Sequence, residues 1–351
     1  MKAGAAHAGS LEHDARHHAS DHANYDFHAL PLAPFLARDD VSEITINRPF
    51  EVAVETRNGW EFFEVPEFSY DWLISLAKLS AALTKQDVND VSGVCSSVLP
   101  GGERVQIVIP PSVEAGTVSI TIRKASKTDM DIDDFAGAGL FNEVRGFGEG
   151  RSGDDELLAL RAQNDWPGFF RTAVKARKNI LISGATGSGK TSLSKALIKL
   201  IPDYERVLTI EDTRELVVGH RNRVHMMYSK DAKSKSKVGA KQLLESALRM
   251  RPDRILLQEL RDEVAFFYLR NVNSGHPGSI TTAHANTAKG ALEQLTLLVK
   301  ESDAGKNLAR EDIRAMLHSL IDIVVQMHKF PPENGMPARY RMTEVWLIPD
   351  L

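Results

Sequence analysis

Residues 184–191 read Gly-Ala-Thr-Gly-Ser-Gly-Lys-Thr, and no other stretch restricts the fold of this chain as much. The string matches the pattern in which a glycine-rich turn closed by Lys and Thr joins a buried strand to a helix and wraps a phosphate. Its flanks agree. Asn179-Ile180-Leu181-Ile182-Ser183 is a strand-length run apolar on both faces, as expected of a parallel strand covered by helices on either side. After the string, Leu193, Leu197, Leu200 and Ile201 share one side of a helix that Pro202 stops. Glycines are required because the backbone must curl until successive N–H groups point inward, a path that side chains would obstruct. The helix N-terminus adds partial positive charge. Gly184, Ala185, Thr186, Gly187, Ser188, Gly189, Lys190, Thr191 and Ser192 are therefore the candidate nucleotide-binding residues. Lys190 would reach the β and γ phosphates of ATP, and the Thr191 hydroxyl would ligate magnesium.

A phosphate loop does not separate a kinase from a motor, and three further strands narrow the choice. Strand Arg206 to Ile210 ends in Glu211-Asp212, strand Arg254 to Gln258 ends in Glu259, and strand Ser279 to Ala283 ends in His284. In an open parallel sheet the carboxyl ends of the strands form one rim, and the phosphate loop lies on it. Any one of these residues alone would be an ordinary strand-end polar group; their convergence is the signal. Magnesium held largely through water favours nearby carboxylates, and an attacking water needs an acceptor to orient it. Glu259 is the expected acceptor, and Asp212 the expected indirect magnesium partner.

The chain has 351 residues, room for two or three domains. Residues 1–28, with six of the twelve histidines, read as a disordered tail; His13 with His17 and His18 with His22 have helical metal-ligand spacing, but a solvated terminus is the simpler reading. Residues 29–125 read as an N-terminal α+β domain, with strands at Glu43 to Asn47, Phe50 to Glu55, Glu61 to Val65, Val105 to Ile109 and Val118 to Arg123, and an amphipathic helix within Ser69 to Lys85. Residues 126–164, rich in Asp and Gly, read as a linker, and 165–351 as an α/β domain with a parallel-rich sheet. The near balance of 43 basic and 47 acidic residues gives a net charge of −4, so no global field advertises nucleic acid. The lysines between Lys230 and Lys241 read as a solvated loop, without aromatic residues to stack bases. A single cysteine, Cys95, excludes an internal disulfide framework and paired-cysteine zinc sites. No run reaches the ~18 apolar residues of a membrane span, so a cytoplasmic protein is expected.

Four ordered motifs resemble one family. Thr209 to Glu215 (TIEDTRE) looks like an aspartate box, Arg251 to Asp262 (RPDRILLQELRD) like the second nucleotide-binding motif, and Ser274 to Asn286 (SGHPGSITTAHAN) like a histidine box. Leu99 to Val105 (LPGGERV) and Ile120 to Lys124 (ITIRK) extend the likeness into the N-terminal domain. The chain thereby resembles the bacterial secretion ATPases of types II and IV, and most closely the type IV traffic ATPases, the eleventh component of the VirB set. The resemblance implies a RecA-like C-terminal domain, a homohexamer, and a magnesium-dependent ATPase that powers substrate translocation or pilus assembly, associated peripherally with the inner membrane beside other type IV secretion components. It also implies nucleotide between the two domains: Arg104 and Arg123 would contact phosphate from the N-terminal side, Glu211 and Asp212 would assist at the metal or water, and His284 would sense the γ phosphate. Nucleic acid would then be a transported substrate only. Two departures matter. Gln258 stands where many of these proteins have glycine, and the four-cysteine module of the type II branch is absent. The alternative on the same core is a nucleic-acid motor, a helicase or DNA translocase.

Overall fold

In the computed structural model the described residues are 20–125, 131–142, 144, 154–229, 235–272, 275–333 and 335–347. Residues 20–125 build an antiparallel sheet from β1 (Glu43–Arg48), β2 (Glu51–Thr56), β3 (Gly59–Glu64), β4 (Val94–Val98), β5 (Arg104–Val108) and β6 (Ser119–Arg123), in the order β3-β2-β1-β6-β5-β4. Helix α1 (Tyr70–Ala82) covers one face of it. Its Ser69 cap accepts a hydrogen bond from the Trp72 N–H, and Leu73, Leu76, Ala77 and Ala81 face inward. Alternation along β1, β2, β5 and β6 sends Ile44, Ile46, Val52, Val54, Val105, Ile107, Ile120 and Ile122 into that core. Cys95 is buried in it as well.

The N-terminal boundary differs from the expected one. Residues 20–28 are helical, Tyr25 is 3% exposed within the core, and the His28 ring stacks on Trp72 at 5.0 Å. Only residues 1–19 of the expected tail, including His13, His17 and His18, lie outside the described residues. The polar composition of this segment hid one apolar stripe. The expected linker is likewise shortened. Helix α2 (Ile132–Gly137) lies within it, and α3 (Asp154–Ala162) already belongs to the C-terminal body, because Leu157 is wholly buried there.

The C-terminal body is a sheet sandwiched by helices. Strands β10 (Arg254–Leu257), β8 (Val207–Glu211) and β9 (Arg223–Met227) run parallel in that order, and β11 (Ile280–Ala283), β7 (Ile180–Gly184), β12 (Ile323–Phe330) and β13 (Arg339–Leu347) follow, with only β13 antiparallel. A parallel bridge between Glu259 and Thr282 joins the two groups. Period-two alternation serves both faces: Leu181, Ile255 and Leu257 pack under α6 (Ala240–Ala247), α7 (Val264–Val272), α8 (Ala288–Glu301) and α9 (Arg310–Leu320). Ile180, Ile182 and Leu256 pack under α3, α4 (Trp166–Lys175) and α5 (Lys190–Ile198). No helix of the described residues is long and apolar enough to cross a membrane.

The two bodies are joined by a buried polar seam. The Arg206 side chain, fully enclosed at the start of β8, donates to Asn47 Oδ1 at 2.8 Å, to Thr121 Oγ1 at 3.2 Å, to the Met250 carbonyl at 2.9 Å and to Asn222. Around it, Arg251 grips Glu55 with two nitrogens, Arg221 pairs with Glu51 at 2.8 Å and Arg214 with Glu114 at 2.6 Å.

Candidate active site

Strand β7 delivers the chain to the phosphate loop with no space to spare. A Cβ on Gly184 would stand 2.4 Å from Ser188 Oγ and 2.6 Å from the Met327 carbonyl oxygen, and Gly189 caps α5 with a left-handed φ of 94°. Only glycine fits both positions without strain. Residues Gly187 to Leu193, together with Met327 and Tyr340, line an open cavity of about 540 Å³ at the N-terminus of α5. Ala185, Thr186, Gly187 and Ser192 are exposed, Thr191 is half-buried, and Ser188 is enclosed with its hydroxyl unpartnered. The cradle therefore suits a polyphosphate.

Lys190 is buried, and its ammonium donates to the Gly184 carbonyl at 2.7 Å and the Ala185 carbonyl at 3.0 Å. Burial lowers its pKa from the usual lysine value, while the Glu259 charge works the other way. The same ammonium lies 3.3 Å from His284 Nδ1. An ammonium can only donate, so Nδ1 must carry the lone pair and Nε2 the hydrogen. His284 Nε2 is 3.0 Å from Glu259 Oε1. Arg261 then donates to the other Glu259 oxygen, and its second terminal nitrogen lies 3.7 Å from Asp212 Oδ2. Lys190, His284, Glu259, Arg261 and Asp212 thus form one line of alternating partners, drawn from the ends of β7, β11, β10 and β8.

Thr282 fixes this line from behind: its hydroxyl donates to the Gln258 carbonyl at 3.0 Å and its carbonyl accepts from the Leu260 N–H at 2.9 Å. Gln258 also donates its N–H to the Ile210 carbonyl, so the non-glycine residue sits within ordinary strand bonding. Among the described residues no three His, Cys, Asp or Glu side chains converge to hold a metal. A hydroxyl at Thr191 with carboxylates at hand suits magnesium, which keeps much of its water and leans on phosphate oxygens.

Other expected residues are placed differently. The Glu211 carboxylate is buried; it accepts from the N–H groups of Glu215 at 2.7 Å and Leu216 at 2.8 Å and from Thr209 Oγ1 at 2.8 Å, beside His225 Nδ1 at 3.5 Å. Burial acts to raise its pKa, but the bonds from His225, the two N–H groups and Thr209 outweigh it and hold the carboxyl below the usual glutamate value. In this geometry Glu211 ties down the turn that carries Asp212. Arg104 and Arg123 are not brought to Lys190. Both line a separate cavity of about 1290 Å³ with Glu43, Glu55 and Arg251, on the N-terminal sheet. Sequence reasoning gave Arg261 no role, although its position two residues beyond Glu259 on the same rim was a usable sign. Tyr340 and Met327 could not be foreseen, because the β12–β13 hairpin brings them to the loop from more than 130 residues away.

Comparison with known proteins agrees with this layout. The family model described as Type II/IV secretion system protein matches residues 157–330. The type IV secretion system protein VirB11 of Bartonella henselae is 50% identical over 331 residues, 91% of either chain. VirB11 of Brucella suis is 42% identical over 93% of this chain and 91% of its own, and PtlH of Bordetella pertussis is 41% identical over 92% and 95%. The crystal structure of the VirB11 ATPase from the Brucella suis type IV secretion system, in complex with sulphate, superposes with a TM-score of 0.88 at 40% identity, covering 95% of this chain and 97% of that one. The likeness spans both bodies and the rim that carries Lys190, Glu259 and His284, and the chain belongs to the VirB11 family of type IV secretion ATPases.

Proposed function

We propose that this chain assembles as a homohexamer, binds ATP and magnesium at the phosphate loop, and uses hydrolysis to drive substrate export or pilus assembly beside other type IV secretion components at the inner membrane. The observation that carries the reading is that Lys190, His284 and Glu259 meet on the rim of one parallel sheet, with His284 3.3 Å from the Lys190 ammonium and 3.0 Å from a buried Glu259 oxygen that makes no hydrogen bond of its own. The loop N–H groups and the N-terminus of α5 hold the phosphates. Lys190 exchanges its carbonyl partners for phosphate oxygens, whose negative charge compensates the desolvation that lowers its pKa. Glu259 accepts a hydrogen bond from the attacking water and aligns it for in-line displacement, while His284, touching both Lys190 and Glu259, couples the state of the γ phosphate to that base. Thr191, and Asp212 indirectly, would hold magnesium, which would supply neutralising charge at the phosphates.

Arg104 and Arg123 fit this scheme across a subunit junction. Among the described residues the cavity they line is separate from that of the loop, and the seam around Arg206 holds the N-terminal sheet in place. A neighbouring copy's nucleotide is the one they can meet. Lys190→Ala is expected to abolish nucleotide binding or turnover, and Glu259→Gln to retain binding while lowering phosphate release about 100-fold or more. Parent-like rates in both variants would refute the reading. Native mass measurement with an ATP analogue should give six copies.

A further inference from the structure

One transverse row of the N-terminal sheet is charged across four strands. Register places Glu55 of β2 opposite Glu43 of β1, Glu43 opposite Arg123 of β6, and Arg123 opposite Arg104 of β5. Directly opposed residues share a face, so like charges stand side by side twice, an arrangement that is unfavourable in itself. The ends are relieved unequally. Glu55 is bound by two nitrogens of Arg251 from the other body, and that guanidinium also lies 5.8 Å from the Trp60 ring centroid. Arg104, by contrast, is exposed and has no acidic partner among the described residues. In the middle, Glu43 is 4% exposed; one oxygen is 3.3 Å from Arg123 Nε and the other, buried, has no hydrogen-bond partner. Arg123 itself is 62% exposed on its side chain and faces the 1290 Å³ cavity.

We propose that Glu43 is an internal stand-in for phosphate: it holds Arg123 in place beside Arg104 and gives it up when a nucleoside triphosphate arrives. This rests on the reading that Arg104 and Arg123 contact phosphate. A buried carboxylate with a single partner is costly to leave alone. Burial pushes the Glu43 carboxyl up to about 7; Glu55 adds to the rise, while Arg123, Arg251 and Arg206 oppose it. Loss of Arg123 to an incoming anion removes the largest opposing charge, so Glu43 takes up a proton as the anion binds. Linkage is reciprocal, so protonating Glu43 first releases Arg123 and favours the anion. Affinity governed by Glu43 therefore rises as pH falls from 8 to 6. Glu43 is a positioning residue, acting through Arg123.

The test measures Mg-ADP and a non-hydrolysable ATP analogue by calorimetry on the full-length protein at pH 6, 7 and 8. Glu43→Gln should bind roughly three- to tenfold more tightly than the parent at pH 8, the scale of one competing ion pair, and the gap should close at pH 6. In the parent, buffers of different ionisation enthalpy should reveal proton uptake that the Arg123→Ala variant lacks, a readout independent of how well Glu43→Gln folds. If Arg123→Ala weakens binding but Glu43→Gln matches the parent in affinity and pH slope, the role of Glu43 falls and the arginine reading stands. If Arg123→Ala binds like the parent, the arginine reading itself falls.

Discussion

Arg261 ties two motif carboxylates, Glu259 and Asp212, into one array. Its guanidinium spans Glu259 and Asp212, and its own pKa is raised chiefly by the hydrogen bond to Glu259. A planar fork can hold two carboxylates at fixed separation, which a lysine ammonium cannot. Arg261→Ala and Arg261→Lys should therefore both lower kcat by about tenfold or more while KM moves less than about threefold, because Glu259, the proposed base, loses its alignment and the phosphate cradle is untouched. Steady-state phosphate release decides this; a change confined to KM would show that Arg261 serves binding instead. At this scale the sequence was informative wherever a residue's partner lies on the same rim. The meeting of Lys190, Glu259 and His284 was legible because strand ends in a parallel sheet must converge. Glu211 was not, because two N–H groups a few residues downstream capture its carboxylate, and nothing in the string TIEDTRE distinguishes a clamp from a metal partner.

Elements were legible in proportion to how apolar they are. β7, β8, β10 and β11 stand out as buried runs, whereas β9 (RVHMM) buries His225 by bonding it to Thr209, and β4 (VCSSV) hides behind two serines. β13 alternates weakly because its antiparallel pairing with β12 shifts register at Gln326 and Met327. The turn after β8 supplies a test suited to this scale. Glu211→Gln replaces an acceptor of several bonds with a group that must donate as well, and should cost about 1–3 kcal/mol at neutral pH. The Glu211 carboxyl sits below the ordinary 4.5, so its contribution is full above that value and is lost as pH falls through the lower, folded-state pKa. Thermal melts of the two proteins should differ at pH 7 and converge in acid. A variant as stable as the parent at pH 7 would show that the clamp holds nothing.

The placement of Arg104 and Arg123 was beyond any reading of the sequence, since it depends on which face of the N-terminal sheet meets the C-terminal body. The seam that decides it is polar and enclosed. Burial depresses the Arg206 pKa to about 9, and Glu43, Asp253 and Glu55 partly restore the charge. Truncating such a residue leaves Asn47, Asn222 and Thr121 facing an unfilled, desolvated space. Arg206→Ala should cost about 3–5 kcal/mol, and the single denaturation transition expected of the parent should split as the bodies uncouple. Retention of one cooperative transition at parent stability would mean that the outer pairs, Arg251 with Glu55 and Arg221 with Glu51, suffice.

That seam has a mechanical consequence. A strut joined stiffly at mid-length passes displacement on without absorbing it, so in the proposed ring the chain would act as one lever whose pivot lies at the boundary with the next copy. Its stroke would then be set by the contacts around the ring rather than by bending inside a protomer.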